Sequence, residues 1–240
     1  LGGDERIYPA SMTKIMTALL TIENLPDLNE TITVPEDIFE ELTAQDASVA
    51  GFNPYEQPTV RDLLYGVLLP SGADACETLA RAVGGSEEGF VAMMNQKAEE
   101  LGLTNTHFEN CTGLHNDNHY STCRDIAVLM SECLKSDTFR EIVTREVYTT
   151  EATASHPEGI TLYDTMLHRF TSYEMSTTLE NGAVIEGGKT GFTDEAGQCL
   201  VSFAEYGGEE YILVTAEAMT DSGSAVDSIA DASTVYGRLQ

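Results

Sequence analysis

Positive charge is what this sequence has least of: 12 Lys and Arg stand against 40 Asp and Glu in 240 residues, a formal net charge of −28. Such a chain repels phosphate backbones instead of releasing counterions from them, which excludes nucleic acid as a partner and makes anionic membrane surfaces poor ones. No uninterrupted apolar stretch approaches the ~20 residues that cross a bilayer, and Leu1-Gly2-Gly3-Asp4-Glu5-Arg6 lacks the apolar core of a signal peptide. Cysteine is sparse too. Cys76, Cys111, Cys123, Cys133 and Cys199 are odd in number and form no CxxC pair, so neither a disulfide scaffold nor a redox compartment can be read from them. No fixed-period repeat, low-complexity tract or Gly/Ser linker divides the chain, and residues 1–240 are expected to form one unit.

What is present is an ordered run of helix signals followed by strand signals. Pro9-Ala10-Ser11 opens a helical pattern with Ile15, Met16, Leu19, Leu20 and Ile22 apolar, ended at Asn24-Leu25-Pro26, which places Ser11 at a helix N-terminus. The segment 26–58, with Pro26, Pro35, Pro54 and Pro58 and many acidic residues, reads as an irregular excursion whose acidic runs are solvated faces. Thr59 is expected to cap a helix through Leu63, Leu64 and Val67 to Leu69, broken by Pro70-Ser71-Gly72 before a second helix from Asp74 to Val83. That break is expected to expose Ser71 at a turn. Ser86 and Ser121-Thr122 open two further helices. The period then changes: a strand holding Gly187, Gly188, Lys189, Thr190 and Gly191 precedes a hairpin, Gln198 to Tyr206 and Glu209 to Ala218. A closing helix, Ser222 to Leu239, would lay Val226, Ile229, Ala230, Ser233, Tyr236 and Leu239 on that sheet. The expected fold is mixed α/β: a helical lobe over about 24–175, then an antiparallel sheet and its helix over about 176–240.

Ser11 and Lys14 stand one helical turn apart, where i and i+3 side chains meet. A serine hydroxyl is a weak nucleophile until a base takes its proton, and lysine can be that base only when desolvation or a neighbouring cation lowers its pKa. A Ser-x-x-Lys match turns up about once by chance in an average chain of this length, so the pair gains weight only from its companions. These are Lys189, in the strand sequence Lys189-Thr190-Gly191, and Ser71 at the break between helices. Glycines beside Lys189 let another backbone or a ligand come close.

Ser-x-x-Lys, Ser-Gly and Lys-Thr-Gly in this order and spacing are those of the penicillin-recognising serine enzymes. Tyr8-Pro9-Ala10-Ser11-Met12-Thr13-Lys14, Leu68-Leu69-Pro70-Ser71-Gly72-Ala73-Asp74 and Lys189-Thr190-Gly191-Phe192-Thr193-Asp194 resemble the low-molecular-mass D-alanyl-D-alanine carboxypeptidases, and Thr106 to Leu114 and His119 to Thr122 extend the similarity. The resemblance implies a β-lactamase/penicillin-binding-protein fold and a serine D,D-carboxypeptidase working without cofactor. It would trim the terminal D-alanine of peptidoglycan stem peptides, be acylated by β-lactams, and lie outside the cytoplasmic membrane, attached to it only through segments not in this sequence. It implies Ser11 as nucleophile, Lys14 as base under the field of Lys189, and Ser71 as proton relay. The Ser11 and Phe192 N–H groups would form an oxyanion hole, and Lys189 and Thr190, beside Gly191, would take the substrate carboxylate.

The resemblance is incomplete at three places. Ala73 stands where the family usually has Asn, removing an amide that bonds base and substrate. Some relatives carry an arginine beyond the Lys-Thr-Gly strand, yet no Lys or Arg occurs between Gly191 and Gly237. Two strands usually precede the nucleophile helix, whereas ten residues precede Ser11 here. Missing N-terminal sequence and a raw sheet edge are therefore expected. Two rival functions are a class A-like β-lactamase, for which the deacylating Glu segment is not found, and an idle stem-peptide binder. Cys111, His115, Asp117, His119 and Cys123 are metal-ligand types, but Gly113, Asn116 and Asn118 make the segment a loop, and no metal is expected there.

Overall fold

Helix α1 (Lys14–Asn24) is buried on every side from Lys14 through Thr21, so it is the axis on which the other helices pack and not a one-faced surface helix. Its buried threonines are satisfied locally: Thr17 Oγ1 donates to Cys111 O at 2.6 Å and Thr21 Oγ1 to Thr17 O at 2.8 Å. The computed structural model describes residues 2–218 and 226–240. Before α1, strand β1 (Arg6–Ile7) pairs antiparallel with β2 (Ser121–Thr122).

Capping chemistry sets the helices around α1. Helix α2 (Ile38–Ala44) interrupts the irregular segment and buries only Ile38 and Leu42. Helix α3 (Val60–Leu68) begins with a capping box between Thr59 and Asp62. Helix α4 (Ala73–Gly84) follows the Ser71-Gly72 break and ends at Gly85, φ 76°. Asp74 in its first turn accepts N–H bonds from Ala50, Gly51 and Phe52, 2.7 to 3.1 Å long, and so fastens the acidic excursion to α4. Ser86 caps α5 (Glu87–Glu100), Thr122 caps α6 (Cys123–Cys133) and Ser136 caps α7 (Asp137–Val143). A short hairpin, β3 (Val147–Thr149) with β4 (Thr161–Tyr163), precedes α8 (Leu167–Ser172).

The last third forms the expected antiparallel sheet, β5 (Val184–Thr193), β6 (Gly197–Tyr206) and β7 (Glu209–Ala218), in that order. Alternation along β6 gives the sheet two buried faces. Cys199, Val201 and Phe203 join the helical core, while Leu200 and Ala204 join a second cluster with Met166, Leu167, Phe170 and Ile229. Each fully buried Leu, Ile or Phe contributes roughly 1.5–3 kcal/mol. Among the described residues β7 has a strand partner on one edge only. The closing helix, α9 (Asp227–Tyr236), packs Ile229, Ala232 and Tyr236 inward, and the Tyr236 hydroxyl donates to Ser202 O at 2.8 Å. Ala232, not Ala230, is the small residue facing the sheet. The predicted first residues of that helix, 222–225, lie outside the described residues.

Candidate active site

Ser11 rides on a short 3-10 turn, Ala10–Thr13, that runs straight into α1. Ala10 sits at φ 45°, a left-handed conformation that a non-glycine residue keeps only when its surroundings hold it. Two glycines close against the turn. A Cβ on Gly113, at φ +83°, would stand 1.9 Å from Ala10 O, and one on Gly191 would stand 3.1 Å from Ser11 N. Strand β5 and the 111–114 segment can press on the Ser11 turn only where they lack side chains.

One turn along, Lys14 Nζ donates to Ser11 Oγ at 3.0 Å and to Thr112 O at 2.8 Å. Its burial pushes the amine below the usual lysine range, with the fields of Cys76, Cys111 and Asp74 acting the other way. Lys189 lies inside β5, and its Nζ donates to Thr190 O at 3.0 Å. Burial first, and the charge of Lys14 second, bring Lys189 down to about 7, against the pull of Asp164. Repulsion between the amines thus bears on Lys189, where the sequence argument places it on Lys14; desolvation leads in both.

Asp164 is the buried counter-charge. It accepts N–H bonds from Met166 at 2.9 Å and Leu167 at 2.6 Å at the start of α8, while burial raises its carboxyl to about 7. Next to it, Thr165 Oγ1 lies 2.6 Å from Thr190 Oγ1.

Ser71 is not exposed as expected. It is buried at φ 66°, and its Oγ has no hydrogen-bond partner. It faces a cleft of about 470 Å³ whose lining includes Ser11, Thr190, Gly191, Phe192, Thr165 and Arg169. Phe192 stands at this cleft 54% exposed. A smaller recess of about 70 Å³ joins Ser11 and Lys14 to Ala73, Asp46 and Ser48. Lys189 lines neither space and is almost wholly buried. A larger open depression, about 910 Å³ between α7, α8 and β5, holds none of the predicted residues.

Sequence reasoning missed Thr112, Asp164, Thr165 and Arg169. A carbonyl such as Thr112 O has no side-chain signature. Asp164 ahead of Met166-Leu167 does carry a helix-start signal. The arginine sought beyond the Lys-Thr-Gly strand is absent there, but Arg169 reaches the cleft from α8. Of the five loop residues considered as metal ligands, His119 is committed elsewhere. Its Nδ1 accepts the Glu109 N–H at 3.2 Å and its Nε2 meets Thr13 Oγ1 at 2.8 Å, and burial lowers its pKa to about 3. Among the described residues those five do not form a ligand group.

A serine bonded to a buried lysine, a second buried lysine on the neighbouring strand, and an antiparallel sheet between helices define the lysine-assisted serine class with the penicillin-binding-protein/β-lactamase fold. Comparison with known proteins agrees. The family described as peptidase S11, D-alanyl-D-alanine carboxypeptidase, matches residues 2–220. The D-alanyl-D-alanine carboxypeptidase DacF of Bacillus subtilis is 36% identical over 218 residues, covering 90% of this chain and 53% of that protein. The D-alanyl-D-alanine carboxypeptidase of Streptomyces sp. strain K15 is 36% identical over 217 residues, 87% of this chain and 72% of the relative. The crystal structure of the Streptomyces K15 DD-transpeptidase matches with a TM-score of 0.82 at 32% identity, covering 98% of this chain and 89% of that one. This chain belongs to the D-alanyl-D-alanine carboxypeptidase family. It spans about half the length of DacF.

Proposed function

We propose that this chain is a serine D,D-carboxypeptidase that removes the terminal D-alanine from peptidoglycan stem peptides through an acyl-enzyme, is acylated by β-lactams, and acts outside the cytoplasmic membrane, with residues 1–240 serving as one catalytic unit. The observation that carries the reading is the 3.0 Å contact of buried Lys14 Nζ with Ser11 Oγ. In this proposal Lys14, neutral because it is desolvated, takes the Ser11 proton as the oxygen attacks the carbonyl between the two D-alanines. The Ser11 and Phe192 N–H groups receive the developing oxyanion, where one such donor contributes about 3 kcal/mol. Ser71, its hydroxyl otherwise unpartnered, relays the proton to the departing D-alanine.

The substrate carboxylate meets Thr190 at the cleft surface beside Gly191, with the positive field of Lys189 beneath it. Around Ala73, the groups positioned to replace the usual amide are Ser48 and Asp46, which share the recess with Ser11 and Lys14. The test is D-alanine release from a diacetyl-Lys-D-Ala-D-Ala peptide: wild type releases it and Ser11→Ala does not. Equal release by Ser11→Ala would move the nucleophile elsewhere, and turnover of nitrocefin at sustained rates without D-alanine release would favour a β-lactamase.

A further inference from the structure

The peptide unit between Thr112 and Gly113 is held at both ends. Its carbonyl, Thr112 O, accepts from Lys14 Nζ at 2.8 Å. Its N–H, on Gly113, donates to Asn110 Oδ1 at 2.7 Å. A trans peptide unit is planar, with its C=O and N–H pointing in opposite directions. Whatever grips the N–H therefore aims the carbonyl.

Asn110 carries the rest of this turn as well. Its Oδ1 accepts from Thr112 N and from Thr112 Oγ1, each at 3.2 Å, and its Nδ2 donates to Leu114 O at 2.9 Å. An Asn side chain that bonds the backbone two residues on is a built-in turn former. Other ties on the segment lie one residue earlier: Cys111 O accepts from Thr17 Oγ1 at 2.6 Å, and Cys111 N–H donates to Glu87 Oε1 at 3.2 Å. They fasten the segment to α1 and α5 without gripping the Thr112–Gly113 unit.

We propose, on the reading of Lys14 as the general base, that Asn110 is a positioning residue: by holding the Gly113 N–H it turns Thr112 O onto Lys14 and leaves the lone pair of the amine to Ser11. A carbonyl oxygen accepts and never donates, so Thr112 O can engage only an N–H of the neutral amine. With that N–H occupied, the lone pair is free to take the Ser11 proton across the 3.0 Å contact. The two bonds also reinforce each other, because an N–H that donates to Asn110 makes the carbonyl of the same unit a better acceptor. The proton leaving Ser11 Oγ goes to Lys14 Nζ, and Asn110 neither gains nor loses one.

The rate of acylation by a fluorescent penicillin, followed against pH, tests the assignment. The charged and titratable groups that act on Lys14 are Asp74 and Cys76 on α4, Cys111, and Lys189 on β5, and every variant keeps them. Neutral Lys14 is the reactive form, so the rate rises with pH through its pKa; an acceptor favours the ammonium, and losing it lowers that pKa. Asn110→Ala should acylate about ten- to a hundredfold more slowly, the size of one hydrogen bond to a charged group, with the acid limb moved down by roughly half a unit to one unit. Asn110→Asp keeps the accepting oxygen and adds an anion, so it should recover most of the rate, with its limb at or above that of wild type. Asn95→Ala is the control. Asn95 braces the same segment at Phe108, accepting its N–H at 2.9 Å and donating to its carbonyl at 2.8 Å; its loss should lower the thermal midpoint and leave the limb in place.

The assignment is overturned if Asn110→Ala, folded by circular dichroism, keeps the wild-type rate and limb, or if Asn95→Ala moves the limb as far. Should Asn110→Ala fail to fold, Asn110→Asp decides, and a limb below that of wild type overturns it. Folded wild-type protein that takes no label at Ser11 removes the functional reading itself and this assignment with it.

Discussion

The hydroxyls of Thr165 and Thr190 lie 2.6 Å apart, tying the turn that leads into α8 to the strand that carries Lys189. Thr190 faces the cleft, so this bond fixes the rotamer of a group that the proposed mechanism offers to the substrate carboxylate. Thr165→Val should raise KM for a D-Ala-D-Ala peptide about three- to tenfold with little change in kcat, the size expected for one neutral hydrogen bond of ~1 kcal/mol. Thr165→Ser should restore KM. Steady-state kinetics on the three proteins decide it.

Asp164 extends the pH range over which Lys189 stays charged, against the larger effects of burial and the Lys14 charge. An ionised Asp164 favours protonated Lys189, whose pKa burial has already lowered to about 7. Removing that anion lowers the Lys189 pKa further, and the protonated amine is the form that attracts a carboxylate. The alkaline limb of kcat/KM should therefore move to lower pH in Asp164→Asn, by about one unit. Asn retains an oxygen able to accept the Met166 and Leu167 N–H bonds, so thermal stability at pH 6 should show that the fold persists. An unmoved limb would detach Asp164 from the chemistry.

Ala73 faces a recess of about 70 Å³ beside Ser11 and Lys14, which leaves room for a larger side chain. Ala73→Asn should leave D-alanine release unchanged or raise it severalfold, since an amide there can bond both base and substrate. A loss of more than tenfold, with the protein still folded, would mean that Ser48 and Asp46 already occupy that role and are displaced.

Gly113→Ala tests the close approach behind the turn that carries Ser11. The added Cβ would stand 1.9 Å from Ala10 O, and the φ of +83° is itself unfavourable for alanine. Loss of stability on the order of 1–3 kcal/mol is expected in urea unfolding, with acylation by a β-lactam slowed more than the stability loss alone explains.

The parts of this molecule legible in its sequence are those encoded over short spans. Ser11 and Lys14 meet because a helical turn brings i and i+3 together, and Thr59 with Asp62 forms its capping box within four residues. Gly207-Gly208 turns β6 into β7 as its neighbours dictate. What escaped depends on distant packing. Ser71 is buried at the break between α3 and α4, beside residues distant in the chain such as Ser11 and Thr190, which no local signal reports. Asp164, Thr165 and Arg169 come from the edge of a six-residue helix too short for periodicity to reveal. Thr112 contributes only a carbonyl. The glycines of β5 were informative in advance: Gly191 does lie against Ser11, while Gly187 and Gly188 lie against the backbones of Val143 and Val201.

The most direct measurement is the intact mass of the folded chain after incubation with a fluorescent penicillin, followed by peptide mapping. The account predicts one adduct per chain on the peptide containing Ser11, absent in Ser11→Ala and formed far more slowly in Lys14→Ala. No adduct on folded wild-type protein, or an adduct mapped to a peptide without Ser11, would contradict it.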